Sequence, residues 1–523
     1  MRRRISVPPL TAGPINLLCF SFSLSRVLTV PRLTEAPPRP LYTGIVCLLL
    51  VTGLLALGAC ATNPVTGKQD LVLVSKDQEL RLGLEAHQQT LQNYRVHDDA
   101  QLQAFVSEVG QRLAAVSHLP DLTFHFTVLD SNEINAFALP GGYVYITRGL
   151  LGYLNSEAEL AAVLGHEIGH VTARHGVRQV SSAQATSLGA GVLAVLVPEL
   201  GQAGLGPSLD LLSTAVLRGY GRDHELEADG LGAEYLARAG YDASAMLDVI
   251  RVLKEHELLE QELAQLEGRE ARSYHGLFAT HPDNDTRLQE GLAHARQQST
   301  GGARRRDEYL ARIDGLTFGP DTTRGVLESG RFLHAALGFA FDLPAGWQAQ
   351  TQDQRLLASD PRQRAVLAME TRAAQGLSPA QVLSQASIGP LAQEEALSVD
   401  AYSGVLGLVQ TTIGNRALPT RIACLVRDGQ AIILRGIVND PGLLGTFDPV
   451  FQKSIRSLRP LTPAERDRLR PLHLRVRRLE EETTWAALAA ESPIRKLPEK
   501  QLRVLNAAQS AAVSPGKPIK LVN

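Results

Sequence analysis

Cysteine, tryptophan and methionine are scarce, at four, two and three among 523 residues, and aromatic side chains make up only 5% of the chain. So few cysteines exclude a disulfide-stapled scaffold. The fold must be held by apolar burial, for which 44% hydrophobic residues suffice. Excess charge is missing as well. The formal net charge is −2, with 52 basic against 54 acidic residues, which leaves no basic footprint for a nucleic acid, and no such partner is expected. Acidic residues are nearly absent from the N-terminus: before Asp70 only Glu35 occurs, against Arg2, Arg3, Arg4, Arg26, Arg32 and Arg39. From Leu41 to Ala59 there is no charged residue at all. That asymmetry marks an exported N-terminus. No helical repeat of the TPR period is visible, and the length calls for roughly two to four domains.

The uncharged run ends Leu57-Gly58-Ala59-Cys60, which resembles a bacterial lipoprotein signal peptide with its lipobox. The resemblance implies a signal region over 1–60 and Cys60 as the lipidated first residue of the mature protein. It also implies a membrane partner through that lipid anchor, on the periplasmic side of the bacterial envelope, the outer membrane before the inner. A transmembrane signal anchor is the other reading, because the run is just long enough to span a bilayer. Translation is expected to start downstream of Met1, near Arg32 to Leu41. Cys19 and Cys47 precede the cleavage point, so Cys424 remains as a lone thiol, in a strand expected at Ile422 to Val426.

What the chain does carry is Leu164-Gly165-His166-Glu167-Ile168-Gly169-His170. Ser156 and Glu159 form an S-x-x-E capping signal, and Leu160, Val163, Leu164, Ile168 and Val171 recur at helical spacing, so the motif is expected inside a helix. Residues four apart share a helix face, and His166 and His170 can therefore offer two imidazole nitrogens to one metal ion. Zinc suits histidine nitrogen, and a catalytic site takes three protein ligands with one position left for water. Glu167 is placed to take that water's proton. The third ligand is sought in Tyr220-Gly221-Arg222-Asp223-His224-Glu225-Leu226-Glu227-Ala228-Asp229, where Glu225 and Asp229 also stand four apart. We assign Glu225 to the metal and Asp229 to orienting a ligating histidine. Glu227 is expected on the surface, while His175 and His224 fall off the ligand face and are given no role.

Together these motifs resemble the gluzincin family that includes the CAAX prenyl protease and HtpX. Asn63-Pro64-Val65-Thr66-Gly67-Lys68 and the run from Asn135 to Leu151 are similar to its periplasmic lipoprotein branch, the BepA-like proteases. The resemblance covers roughly Asn63 to His294. It implies an α+β fold whose first part, 61–298, is a mainly helical zincin-type metalloprotease domain with a small sheet. One Zn2+ per chain is implied at His166, His170 and Glu225, with Glu167 as catalytic base. Ala279-Thr280-His281-Pro282 resembles the family's T-H-P segment, which implies that His281 lies beside the metal, either as a fourth ligand in a closed state or as a hydrogen-bond donor to the reacting centre. The implied substrates are polypeptides, and the implied duty is quality control of misfolded or misassembled envelope proteins. Pro140-Gly141-Gly142 makes a turn, and Tyr143, Val144 and Tyr145 open a strand that is either a substrate-binding edge or an ordinary sheet member. The apolar run from Leu188 to Val197 is either a lid or a buried hairpin.

Beyond the motifs, 299–318 reads as a linker. Strands at Ala365–Glu370, Thr411–Ile413, Thr420–Arg427 and Ala431–Ile437, with helices at Ser378–Ala386 and Phe447–Ile455, suggest a small accessory α+β domain over 319–462. The tail, 470–523, resembles a degenerate LysM module of β-α-α-β order, with Glu481-Glu482-Thr483 where that family has Gly-Asp-Thr. Peptidoglycan is the partner this implies. A competing class stays open, in which the chain is an envelope chaperone or peptidoglycan-tethered binding protein with an idle metal site.

Overall fold

The computed structural model describes residues 60–182, 220–269, 301–352, 355–413 and 416–523. The signal region before Cys60, the 188–197 run and His281 with its T-H-P segment lie outside them. Among the described residues no helix is long and apolar enough to cross a membrane.

Two short strands, β1 (Cys60–Thr62) and β2 (Gln69–Leu71), pair around the Asn63 turn, where the Asn63 side chain accepts from the Val65 and Thr66 amides. Pairing ends at Leu71. Helix α1 (Lys76–Asn93) starts at a Ser75–Gln78 capping box, and α2 (Ala100–Ala114) at Asp99, which accepts from two first-turn amides. The apolar face of α2, Leu102, Val106, Val109 and Leu113, packs into the main core.

Next comes a three-stranded sheet of β3 (His125–Leu129), β4 (Ala136–Leu139) and β5 (Tyr143–Thr147), in the order β3-β5-β4. This corrects the edge-strand reading of Tyr143, Val144 and Tyr145. Gly141 and Gly142 take positive φ (83° and 91°) and fold β4 back antiparallel on one side of β5, while β3 pairs parallel on the other. Both edges of β5 are thus consumed, and β3 and β4 are left as the two outer strands among the described residues. The metal-motif helix α4 (Glu157–Thr172) follows the short α3 (Arg148–Tyr153). Ser156 caps it as expected, but the Glu159 carboxylate reaches back to the Asn155 amide at 2.8 Å rather than to Ser156's own, so the box is displaced by one residue. Helices α5 (Arg222–Arg238) and α6 (Ala245–Glu267) pack against α4.

The stretch expected as a linker is not one. It contains α7 (Arg306–Ile313), whose Tyr309, Leu310 and Ile313 are buried in the same core as α4, and β6 (Thr317–Phe318). β6 pairs with β14 (Leu472–Arg478), so 319–470 is looped out between two paired strands. That excursion contains a seven-stranded antiparallel sheet of β7 (Gln348–Gln352), β8 (Arg355–Ser359), β9 (Ala365–Ala373), β10 (Ala392–Val399), β11 (Tyr402–Ile413), β12 (Arg416–Arg427) and β13 (Gln430–Val438). The strand order is β7-β8-β9-β13-β12-β11-β10. Helices α8 (Pro379–Gln385) and α9 (Leu444–Arg456) cover it, around cores separate from that of α4. Cys424 is buried in β12, and burial pushes its thiol up to about 12.

After β14, helices α10 (Trp485–Glu491) and α11 (Pro498–Leu505) lead to β15 (Pro518–Val522), antiparallel to β14. Trp485, Leu502, Leu505, Ile519 and Val522 belong to the core that contains α4. The tail therefore shares its interior with the helix that carries the metal motif.

Candidate metal centre

One turn apart on α4, His166 and His170 are both buried, and their Nε2 atoms lie 3.0 Å from each other. Helix α5 crosses α4 so closely that a side chain on either at the crossing would crowd the other's backbone. A Cβ on Gly232 would stand 3.0 Å from the His166 backbone nitrogen, and one on Gly169 would stand 3.1 Å from the Ala228 carbonyl oxygen. This approach brings in Glu225, fully buried in the first turn of α5. Its Oε2 lies 3.6 Å from His166 Nε2 and its Oε1 3.6 Å from His170 Nε2. Two donor atoms on one tetrahedral zinc, each bonded at about 2.0–2.1 Å, stand about 3.3 Å apart. The two imidazoles and the carboxylate thus fit such an ion in both spacing and chemistry. Glu167, 1% exposed, is the next residue along α4.

Behind the three, the other ring nitrogens are held. His166 Nδ1 lies 2.8 Å from Asp229 Oδ1. His170 Nδ1 lies 2.8 Å from His175 Nδ1, and His175 Nε2 in turn lies 3.0 Å from Glu227 Oε2. Arg178 donates to the same Glu227 oxygen at 3.2 Å. The hydrogen bond from His175 leads in holding the Glu227 carboxyl at about 2, with Arg178 assisting against burial. Both expectations for these residues need correction: His175 is fully buried beside a candidate ligand, and Glu227 is a half-buried partner rather than a surface charge. Helix-face reasoning misplaced them because α4 ends at Thr172 and Arg174 adopts φ of 57°, a left-handed turn that brings His175 back under His170.

Tyr220 was also missed. It stacks on the His170 ring, with centroids 4.1 Å apart and planes at 19°, and burial followed by the Glu167 and Glu225 charges raises its phenol well above the usual range. No spacing rule points to such a ring. His224 stacks on His175 at 4.3 Å, and burial leads in lowering its imidazole to about 4, so it is neutral near pH 7. Tyr143, Val144 and Tyr145 are not gathered at the metal centre. Tyr143 is stacked by His87 and His125, Val144 is buried, and the Tyr145 hydroxyl bonds His87. The strand beside the centre is β4: Ala138 and Leu139 share a small pocket with His170, Val171, Val177 and Tyr220.

Comparison with known proteins agrees with this geometry. Residues 100–295 match the profile of Peptidase family M48. This stretch is an M48 domain. The chain is 30% identical over 278 residues to the beta-barrel assembly-enhancing protease of Yersinia pestis, covering 50% of this chain and 54% of that protein. Its identity to the protein of the same name from Escherichia coli K12 is 29% over 278 residues, covering 52% and 53%. With the mitochondrial metalloendopeptidase OMA1 of Schizosaccharomyces pombe it shares 29% over 233 residues, covering 43% and 64%. The chain thus spans about half the length of the beta-barrel assembly-enhancing proteases it matches. The M48 match takes in α2 through α6 and both halves of the metal cluster.

Proposed function

We propose that this chain is a zinc-dependent metalloendopeptidase, lipid-anchored through Cys60 on the periplasmic side of the envelope, that hydrolyses peptide bonds of misfolded or misassembled envelope proteins. One observation carries the reading: His166, His170 and Glu225 converge to zinc-ligand spacing beside a buried Glu167. When bound there, zinc supplies Lewis acidity to a water molecule and to the scissile carbonyl. Glu167 accepts the proton of the attacking water and returns it to the leaving amine. Of the two outer strands, β4 is the one beside the metal centre and offers main-chain groups along which an extended substrate is held. The names of the relatives support a polypeptide substrate and a place in beta-barrel assembly.

The test is Glu167→Gln, with an unfolded protein as substrate. Cleavage is expected to fall by about 10²–10⁴-fold, while metal analysis still finds one zinc per chain. A variant that cuts as the parent does would remove Glu167 from the chemistry, and the endopeptidase reading with it.

A further inference from the structure

We propose that His170 is aimed at the metal by a relay of side chains, His175 and then Glu227, which makes these two positioning residues. This rests on the metal-centre reading above and adds to it how the second histidine is fixed. His166 and His170 are not equivalent. His166 has the direct carboxylate partner, Asp229, whereas His170 has a second imidazole interposed before a carboxylate is reached. With both Nε2 atoms turned to the metal, His170 must carry its proton on Nδ1 and donate it. His175 Nδ1 then accepts, so its own proton sits on Nε2, where Glu227 accepts it. Each tautomer follows from the one before, and the chain closes on a carboxylate that Arg178 also bonds.

The relay is built into the backbone. Left-handed Arg174 (φ 57°) is a strained conformation for a residue with a side chain. It is held by two bonds from the Arg174 guanidinium to Glu79 on α1, at 3.1 and 2.6 Å. His175 is then clamped by the His224 ring stacked on it. The far end reaches the N-terminal hairpin. Arg178 Nε lies 3.4 Å from Asp70 Oδ2, the same oxygen to which the Asn63 amide donates at 2.8 Å. The Asn63-Pro64-Val65-Thr66-Gly67 turn, for which the catalytic reading has no use, thereby secures the last member of the relay.

The deciding measurement is the equilibrium zinc affinity of the full chain, by chelator competition, alongside thermal melting of the metal-free protein. His175→Phe keeps a ring against His224 but can neither accept from His170 nor donate to Glu227. Its zinc dissociation constant is expected to rise about 10- to 100-fold, the usual cost of losing such a partner, with the metal-free melt little changed. A purely structural His175 would do the reverse, lowering the metal-free melt while the folded protein binds zinc as before, and that result overturns the proposal. Should His175→Phe not fold, Glu227→Leu decides instead: the Glu227 side chain is 24% exposed, and leucine cannot accept from His175 Nε2. An affinity within about threefold of the parent, well short of the loss expected for a broken support, would overturn the relay. A parent chain that binds no zinc would sink the metal-centre reading itself, whereas parent and variants binding equally would sink only the relay.

Discussion

Asp130 sits where sheet, helix and returning chain meet. Its carboxylate accepts from Arg148 Nε at 2.7 Å and lies 3.8 Å from His97 Nδ1, and Arg148 in turn donates to the Thr317 and Gly319 carbonyls. Burial by itself would raise this carboxyl, but the hydrogen bonds and charges of His97 and Arg148 override it and hold it at about 2. A carboxyl depressed in the folded state contributes stability that is complete above its unfolded value near 4 and is lost as pH falls through about 2. Asp130→Asn is therefore expected to flatten the acid limb of a urea-midpoint-versus-pH curve between those values. At neutral pH it should cost about 2 kcal/mol, less than for a fully buried pair because Asp130 keeps some water contact. An unchanged acid limb would show that Asp130 titrates normally. None of this could be read from the sequence, because Arg148 and Asp130 acquire their meaning from carbonyls of residues far along the chain. Glu227 is similar: on a helical wheel it points away from Glu225, and only the turn at Arg174 gives it a partner.

The crossing of α4 and α5 decides whether the two halves of the metal cluster meet. Gly165, Gly169 and Gly232 line the seam, and a Cβ on Gly165 would stand 3.1 Å from Leu236 Cδ1 and 3.3 Å from the Gly232 carbonyl oxygen. Gly232→Val would force the helices apart. We expect about 2–3 kcal/mol of destabilisation in chemical unfolding, together with weakened zinc retention because Glu225 withdraws with α5. Normal stability and metal content in that variant would mean the seam has slack. Local periodicity and capping are enough to place α4 and, in the second sheet, β9, β12 and β13, since i, i+4 and alternating patterns are properties of contiguous residues, whereas of β11 (Tyr402–Ile413) they give only the last three residues. The ends and edges were not. Whether β4 or β5 forms the sheet edge depends on where β3 docks, and β10 was missed because its residues are largely exposed and lack apolar alternation.

Lys520 ties the end of the chain to the metal helix. It is fully buried in β15, and its Nζ donates to the Gly152 and Leu154 carbonyls at 2.8 Å each, while Tyr309 and Arg306 donate to those of Leu151 and Asn155. The carbonyls that α3 leaves unpaired at its end, just before α4 begins, are thus capped by side chains from α7 and the tail. Burial lowers the Lys520 amine and raises the Glu159 carboxyl at the start of α4, each opposed by the other's charge. Lys520→Met removes the donor of the buried Gly152 and Leu154 carbonyls and is expected to cost about 1–3 kcal/mol in equilibrium unfolding for each carbonyl left unsatisfied. Adding Glu159→Gln should recover at least about 1 kcal/mol through their coupling. A cost under about 1 kcal/mol for the single change would mean the tail only rests on the M48 domain. The sequence by itself determined which residues can offer ligand atoms to a metal and which helices present them, because a shared helix face depends only on residue spacing along one stretch of chain. Only the tertiary structure decided that β6 and β14 close around the 319–470 excursion, that the tail completes the core of α4, and that His175 supports His170. Those depend on contacts between residues far apart in sequence, whose pairing no local pattern encodes.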